Sequence, residues 1–258
     1  MSTMRIAIFS DVHGNALALE TVLADVKAAG GVDGYWFVGD AASQGYDPAA
    51  CVRRISSLPD LKAVRGNTDH YSTADTHTID AEFVEEAGQD LARAQRTFAI
   101  VANFYWTRGA VTATGQYDWL ANLPVEKRVE LPDGTRVLLV HASPGTDEGS
   151  GITVSQSDDE VAALLEGADA DLVIVGHTHI PLDRTVNGVR VWNLGSVSNP
   201  PTDDKRAMWT LLEADAQGYR LERRYAAYDV ARVLAALEAA HQPAAAVIRR
   251  SWERAATG

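Results

Sequence analysis

The chain has 258 residues, 46% of them hydrophobic, and a formal net charge of -12. That much apolar material supports a well-buried core, and so acidic a surface repels polyphosphate backbones, which argues against duplex nucleic acid as a partner. A single cysteine, Cys51, rules out an internal disulfide framework and fits a reducing compartment.

In chain order, Met4-Arg5 leads straight into an apolar run over residues 5–9, with no signal-peptide pattern before it. After Asn15, the residues Ala16, Leu19, Leu23 and Val26 share one face of a helix. A second short strand is expected at 35–38, then a helix opened by Asp47-Pro48 with Val52 and Ile55 on its buried face. Residues 61–64 form a third strand. The segment 81–113 reads as a mostly helical insertion without recognisable chemistry, either a cap over the site or a contact that would make a homo-oligomer. Strands follow at 137–140 and 172–175, separated by the capping box Ser157-x-x-Glu160 and the apolar residues Val161, Leu164 and Leu165. Beyond residue 189 the pattern changes to neighbouring strands at 189–194, 207–214 and 218–226, the last two joined by a turn. A closing helix spans about 229–241, with Val230, Val233, Leu234 and Leu237 on one face. Alternating strand and helix predict an α/β fold with a largely parallel central sheet. With no linker or repeat, residues 1–258 are expected to be one domain. No stretch is apolar enough to span a bilayer, so a cytoplasmic protein without membrane attachment is expected.

The polar residues fall where these runs end. Asp11-Val12-His13-Gly14-Asn15 follows the first strand, Gly39-Asp40 the second and Gly66-Asn67-Thr68-Asp69 the third. His141 follows the fourth, and Gly176-His177-Thr178-His179 the fifth. C-terminal strand ends of open α/β sheets converge on a crevice where ligands bind. Glycines beside Asp40, Asn67 and His177 let the backbone turn tightly there. Asp-x-His alone is a weak signal, and Gly-His-Thr-His is more specific. The ordered set is strong, because four of the seven histidines sit at these ends and only His70, His77 and His241 do not. Carboxylate, amide and imidazole donors without thiolate suit Mn or Fe first and Zn second. No compact Cys/His knuckle for structural zinc is present. The donors outnumber one coordination sphere, so two divalent ions are expected, with Asp40 placed to bridge them, which is apparatus for displacement at phosphorus.

This ordered set resembles the calcineurin-like metallophosphoesterase superfamily. Asp11-x-His13-Gly14-Asn15 and Asn193-Leu194-Gly195-Ser196-Val197 are similar to its small bacterial and archaeal phosphodiesterase branch, over the stretch from the first strand to about Pro200. The resemblance implies two stacked mixed β-sheets flanked by helices. It implies one ion held by Asp11, His13, Asp40 and His179, and another by Asp40, Asn67, His141 and His177. Asn15 and Asp69 would orient ligands or phosphate. Two departures stand out: Thr68 occupies the position where many members carry histidine, and Pro201 one where the branch often carries arginine, leaving Arg206 either as a substitute phosphate contact or as a solvent-exposed arginine. Without an acid at residue 68, substrates with stable leaving groups are expected: activated diesters or nucleotide polyphosphates, including dinucleoside ones. His70, two positions further on, would supply the imidazole if the loop turns back. A small phosphorylated partner, a nucleotide first, is therefore expected. The alternatives are phosphomonoesterase or protein phosphatase activity, or a protein-binding scaffold on this fold. A scaffold would show eroded ligands, whereas all seven positions are filled.

Overall fold

The structure, a computed structural model, describes residues 3–74, 88 and 90–254. Its first sheet is built by β1 (Met4–Phe9), β2 (Gly34–Val38) and β3 (Leu61–Val64) running parallel. Antiparallel β9 (Ala207–Asp215) and β10 (Gly218–Ala226) extend it in the order β10-β9-β1-β2-β3. The second sheet has the order β4-β5-β6-β8-β7, from β4 (Glu126–Glu130), β5 (Arg136–Val140), β6 (Leu172–Val175), β7 (Leu182–Val186) and β8 (Val189–Asn193). Strands β5, β6 and β8 are parallel, and β4 and β7 are antiparallel edges.

Side-chain alternation explains the layering. Ile6, Ile8, Trp36 and Val38 face Val137, Leu139, Leu172 and Ile174 of the other sheet. The intervening Ala7, Phe9 and Phe37 face α1 (Ala16–Ala28) and α2 (Pro48–Ser56), meeting Leu19, Val22, Val52 and Ile55. On the far side Leu138, Val140 and Val173 pack on Val161 of α6 (Asp158–Leu164). The result is a helix–sheet–sheet–helix α/β sandwich, and strands covered on both faces explain the continuous apolar runs. Helix starts follow capping chemistry: Asp47 accepts from Ala50 N (3.0 Å), and Ser157 and Glu160 bond reciprocally.

Two expectations need correction. Strand–helix alternation points to a single central sheet, whereas the described residues form the two stacked mixed sheets that the family resemblance implies. The five motif-bearing strands divide between them, because each sheet buries one face on the other. Nor is β8 a neighbour of β9; it pairs with β6 and β7, and meets β9 only across the core, where Trp192 Nε1 donates to Thr210 Oγ1 (2.9 Å). Strands β4 and β7 were not expected from the sequence.

Between β3 and β4 lie α3 (Asn67–Thr73), α4 (Leu91–Ala113) and α5 (Tyr117–Ala121). Residues 81–87 and 89 of the expected insertion lie outside the described residues, as does His77. Asn103 of α4 accepts from Gln44 N (2.9 Å) and donates to Ser43 Oγ (2.6 Å), tying α4 to the loop after β2. The closing helices are α7 (Val230–Ala239), which Asp229 caps, and α8 (Ala245–Arg254). No helix among the described residues is long and apolar enough to cross a membrane.

Candidate metal centre

The C-terminal ends of β1, β2, β3, β5 and β6 meet at one seam between the sheets. The chain leaves these strands in unusual backbone: Asp11 (φ 57°), His13 (48°), Asp40 (62°), His177 (67°) and His179 (59°) are all left-handed. Each such residue costs on the order of 1–3 kcal/mol and persists only where neighbours over-determine it. Here Asp11 N donates to Gly39 O (3.0 Å), and Val12 N and His13 N both donate to Asp40 O (2.9 and 3.0 Å). Asp69 ties the next loop down, its carboxylate accepting from the backbone N–H of Asp40 (2.8 Å), Ala41 (2.9 Å), Ala42 (3.2 Å) and Gly66 (3.1 Å). Gly66 is required by close approach rather than by a turn. Its φ is −102°, but a Cβ there would lie 2.0 Å from Asp40 Oδ1.

The donor atoms converge in two groups, Asp11–His13–His179 and Asp11–Asp40–His141, each with its atoms within 4.8 Å of one another. His179 Nε2 lies 3.1 Å from Asp11 Oδ1 and 3.0 Å from His13 Nε2. His141 Nε2 lies 3.4 Å from Asp40 Oδ2, and His13 Nε2 lies 3.6 Å from the same atom. Asn67 Oδ1 faces His177 Nδ1 at 3.1 Å, and the His177 ring stands edge-on to that of His141 with centroids 5.2 Å apart.

Three backbone carbonyls set which imidazole nitrogens carry protons, since a carbonyl only accepts. Val38 O faces His141 Nδ1 (2.8 Å), Gly149 O faces His177 Nε2 (2.8 Å) and Asn199 O faces His179 Nδ1 (3.2 Å). In each neutral ring the other nitrogen then points a lone pair into the cluster, as the outer hydrogen bonds of metal-binding histidines do. Asp11 Oδ1 and His141 Nε2 are buried, lie 4.0 Å apart, and have no hydrogen-bond partner among the described residues. Buried acceptors facing one another are costly unless a cation lies among them, so this donor set fits divalent ions.

Electrostatics point the same way. Burial works against ionising Asp40, yet the facing His141 charge holds its carboxyl well below the usual range. Burial likewise opposes charge on His141, but Asp40 raises it to about 10. His13 is driven down to about 4, chiefly by burial. Two buried carboxylates thus demand positive charge, which imidazolium meets in the absence of metal.

The remaining expected residues are placed as follows. Asn15 caps α1, accepting from Ala18 N (3.1 Å) and donating to Ser198 Oγ (3.2 Å). Arg206 is half exposed, forks onto Asp204 and stacks on Tyr225 at 4.7 Å. Thr68 is buried, its hydroxyl donating to Ala42 O (3.3 Å). His70 lies beside Asp147, with His70 Nδ1 3.7 Å from Asp147 Oδ2. His241 is exposed beyond α7. Cys51 is buried in α2, and burial pushes its thiol well up, as for a structural thiol. Reading side chains alone missed the carbonyls of Val38, Gly149 and Asn199, which carry no residue signature, and Asp147, which stands in a loop with no motif.

Residues 4–217 match the model of the calcineurin-like phosphoesterase superfamily domain. An uncharacterised protein of Methanocaldococcus jannaschii is 27% identical over 242 residues, covering 87% of this chain and 88% of its own. The crystal structure of a metallophosphoesterase from Sphaerobacter thermophilus superposes with a TM-score of 0.71 at 28% identity, covering 97% of this chain and 98% of that one. A hypothetical protein from Pyrococcus horikoshii gives a TM-score of 0.77 at 19% identity, covering 96% and 98%, a likeness of fold.

Proposed function

The chain belongs to the calcineurin-like phosphoesterase superfamily, and from that premise we propose that it is a metal-dependent hydrolase of phosphodiesters or nucleotide polyphosphates with two divalent ions. The observation that carries this reading is the pair of buried, unbonded acceptors Asp11 Oδ1 and His141 Nε2, 4.0 Å apart among imidazoles whose outer nitrogens face carbonyls. Asp11, His13, Asp40 and His179 would hold one ion, and Asp40, Asn67, His141 and His177 the other. Such ions would supply Lewis acidity, polarising phosphoryl oxygens and lowering the pKa of water. The chain's own part is to fix these donors: Asp69 clamps the Asp40 loop, and the three carbonyls aim the rings. A formal charge of -12 favours small phosphorylated substrates, a nucleotide first, over long nucleic acid.

The test is metal analysis of the purified protein followed by a Mn-supplemented panel of aryl and alkyl diesters, cyclic nucleotides, dinucleoside polyphosphates and phosphomonoesters. Two ions per chain are expected, with diesters or anhydrides cleaved faster than monoesters. Less than one ion at saturating metal, with no turnover of any substrate, would reject the reading.

A further inference from the structure

We propose that His70 is the acid that protonates the leaving group, positioned by Asp147 and Arg65, so that diesters of ordinary alcohols fall within the range of this site. The proposal rests on the phosphohydrolase reading above. Thr68 cannot serve, because the residue is only 3% exposed and its hydroxyl is engaged with Ala42 O.

Helix geometry places His70 beside the ligands. Asn67 opens α3, and residues three and four positions on share its face. Asn67, His70 and Tyr71 are accordingly the partly exposed side of this helix, while Thr68, Asp69 and Ser72 are buried. One turn advances only about 5.4 Å, and side chains lean back toward the helix N-terminus, so His70 leans toward Asn67. Opposite runs the loop after β5, and three successive residues of it engage this edge. Asp147 Oδ2 faces His70 Nδ1 at 3.7 Å, Glu148 accepts from the Tyr71 hydroxyl at 2.7 Å, and Gly149 O faces His177 Nε2 at 2.8 Å. The loop that faces His70 through Asp147 thus also faces His177 through Gly149, and Asn67 lies one turn back on the helix of His70.

The ring is oriented as an acid needs. Its Nδ1 is shielded from solvent and has no hydrogen-bond partner among the described residues. The side chain as a whole is 40% exposed, against 6% for Asp147, so its exposed part lies away from the buried Nδ1. Arg65 Nε donates to the same Asp147 Oδ2 and fixes that carboxylate. A carboxylate at Nδ1 selects the tautomer and stabilises the imidazolium, while Nε2 exchanges the proton. Such contacts are commonly long before substrate binds. In the step proposed, water adds to phosphorus as the bond from phosphorus to the leaving oxygen breaks. The electron pair of that bond goes to the leaving oxygen, which takes the proton from His70 Nε2. The attacking water releases one proton to solvent, and neutral His70 takes one back, so each turnover consumes one water and yields one alcohol.

The experiment measures kcat/KM of the Mn-loaded protein for aryl and alkyl phosphodiesters, in wild type, His70→Ala, His70→Gln and Asp147→Asn. His70→Ala should lower the alkyl-to-aryl ratio of kcat/KM by about 10²–10⁴, His70→Gln should not restore it, and Asp147→Asn should lower it less, through kcat rather than KM. Bound metal per chain should stay at the wild-type value, since His70 is not among the candidate ligands. Without metal, nitrogen NMR should find neutral His70 protonated at Nδ1 in wild type and shifted toward Nε2 in Asp147→Asn. Equal losses for aryl and alkyl esters in His70→Ala, or an Nε2–H tautomer in wild type, would overturn the role of His70 alone. A wild type that cleaves neither ester with any divalent ion would overturn the phosphohydrolase reading and this role together.

Discussion

Asp40 is at once a left-handed residue, the acceptor for Thr68 N (2.9 Å), and the carboxylate faced by both His13 and His141. If it bridges two ions, Asp40→Asn removes a charge that both share. That variant should lose both ions and nearly all turnover, whereas His179→Ala should chiefly weaken one site. Metal content by mass spectrometry decides it; two ions retained in Asp40→Asn would reject bridging. Gly66 tests the packing of the same residue. Gly66→Ala puts a Cβ 2.0 Å from Asp40 Oδ1 and 2.5 Å from Asp40 N, and should cost about 1–3 kcal/mol as overpacking, with loss of metal. Gly109→Ala is the control: it lies inside α4 with nothing within 4 Å of the added carbon, and should stabilise by about 0.4–1 kcal/mol. Urea midpoints compare the two, and destabilisation of equal size would refute the close-approach argument.

Between elements, Asp69 carries the most. Its side chain joins the start of α3 to the loop after β2 through four backbone N–H groups. Asp69→Ala orphans them in a buried setting where each costs about 1–3 kcal/mol. Because the losses overlap, a total on the order of 3 kcal/mol is expected by chemical denaturation, together with weakened metal binding. An effect below about 1 kcal/mol would mean that water replaces the carboxylate. The strands that escaped notice also belong to this scale. Strand β4 reads Glu-Lys-Arg-Val-Glu and β7 reads Leu-Asp-Arg-Thr-Val, polar sequences suited to exposed edges rather than to apolar runs. The β7–β8 hairpin did carry a local signal, because Asn187-Gly188 adopts positive φ at both residues (50° and 84°), as a two-residue hairpin turn requires.

For the molecule as a whole, the core between the sheets is built from Ile8, Trp36, Leu139, Leu172 and Ile174 and owes nothing to the ligand side chains. Chelation should therefore inactivate without unfolding. An ion present at 100 times its Kd adds about 2.7 kcal/mol of stability, which for a chain of this size is a fall in Tm of about 5–10 °C per ion removed. Calorimetry with EDTA should show that fall with the transition still cooperative. A chain that loses its far-ultraviolet circular dichroism on chelation at room temperature would contradict this.

Local information sufficed for the strands of the two sheet centres, for the helix caps and for placing the seven proposed ligands at strand ends, because apolar runs, capping residues and polar strand ends are written within a few positions of one another. Asp47-Pro48, Ser157 with Glu160, and Gly176-His177-Thr178-His179 are each legible without knowing what lies across the fold. What no local pattern carries is pairing between distant segments. Only tertiary structure decided that β8 leaves β9 for the second sheet, where Trp192 crosses the core to Thr210. It decided which carbonyls aim His141, His177 and His179, since Val38, Gly149 and Asn199 lie 103, 28 and 20 residues from the rings they face. It also decided that Thr68 turns inward while His70 meets Asp147. Each step along a helix rotates a side chain by about 100°, so two positions in sequence separate a buried hydroxyl from an open imidazole.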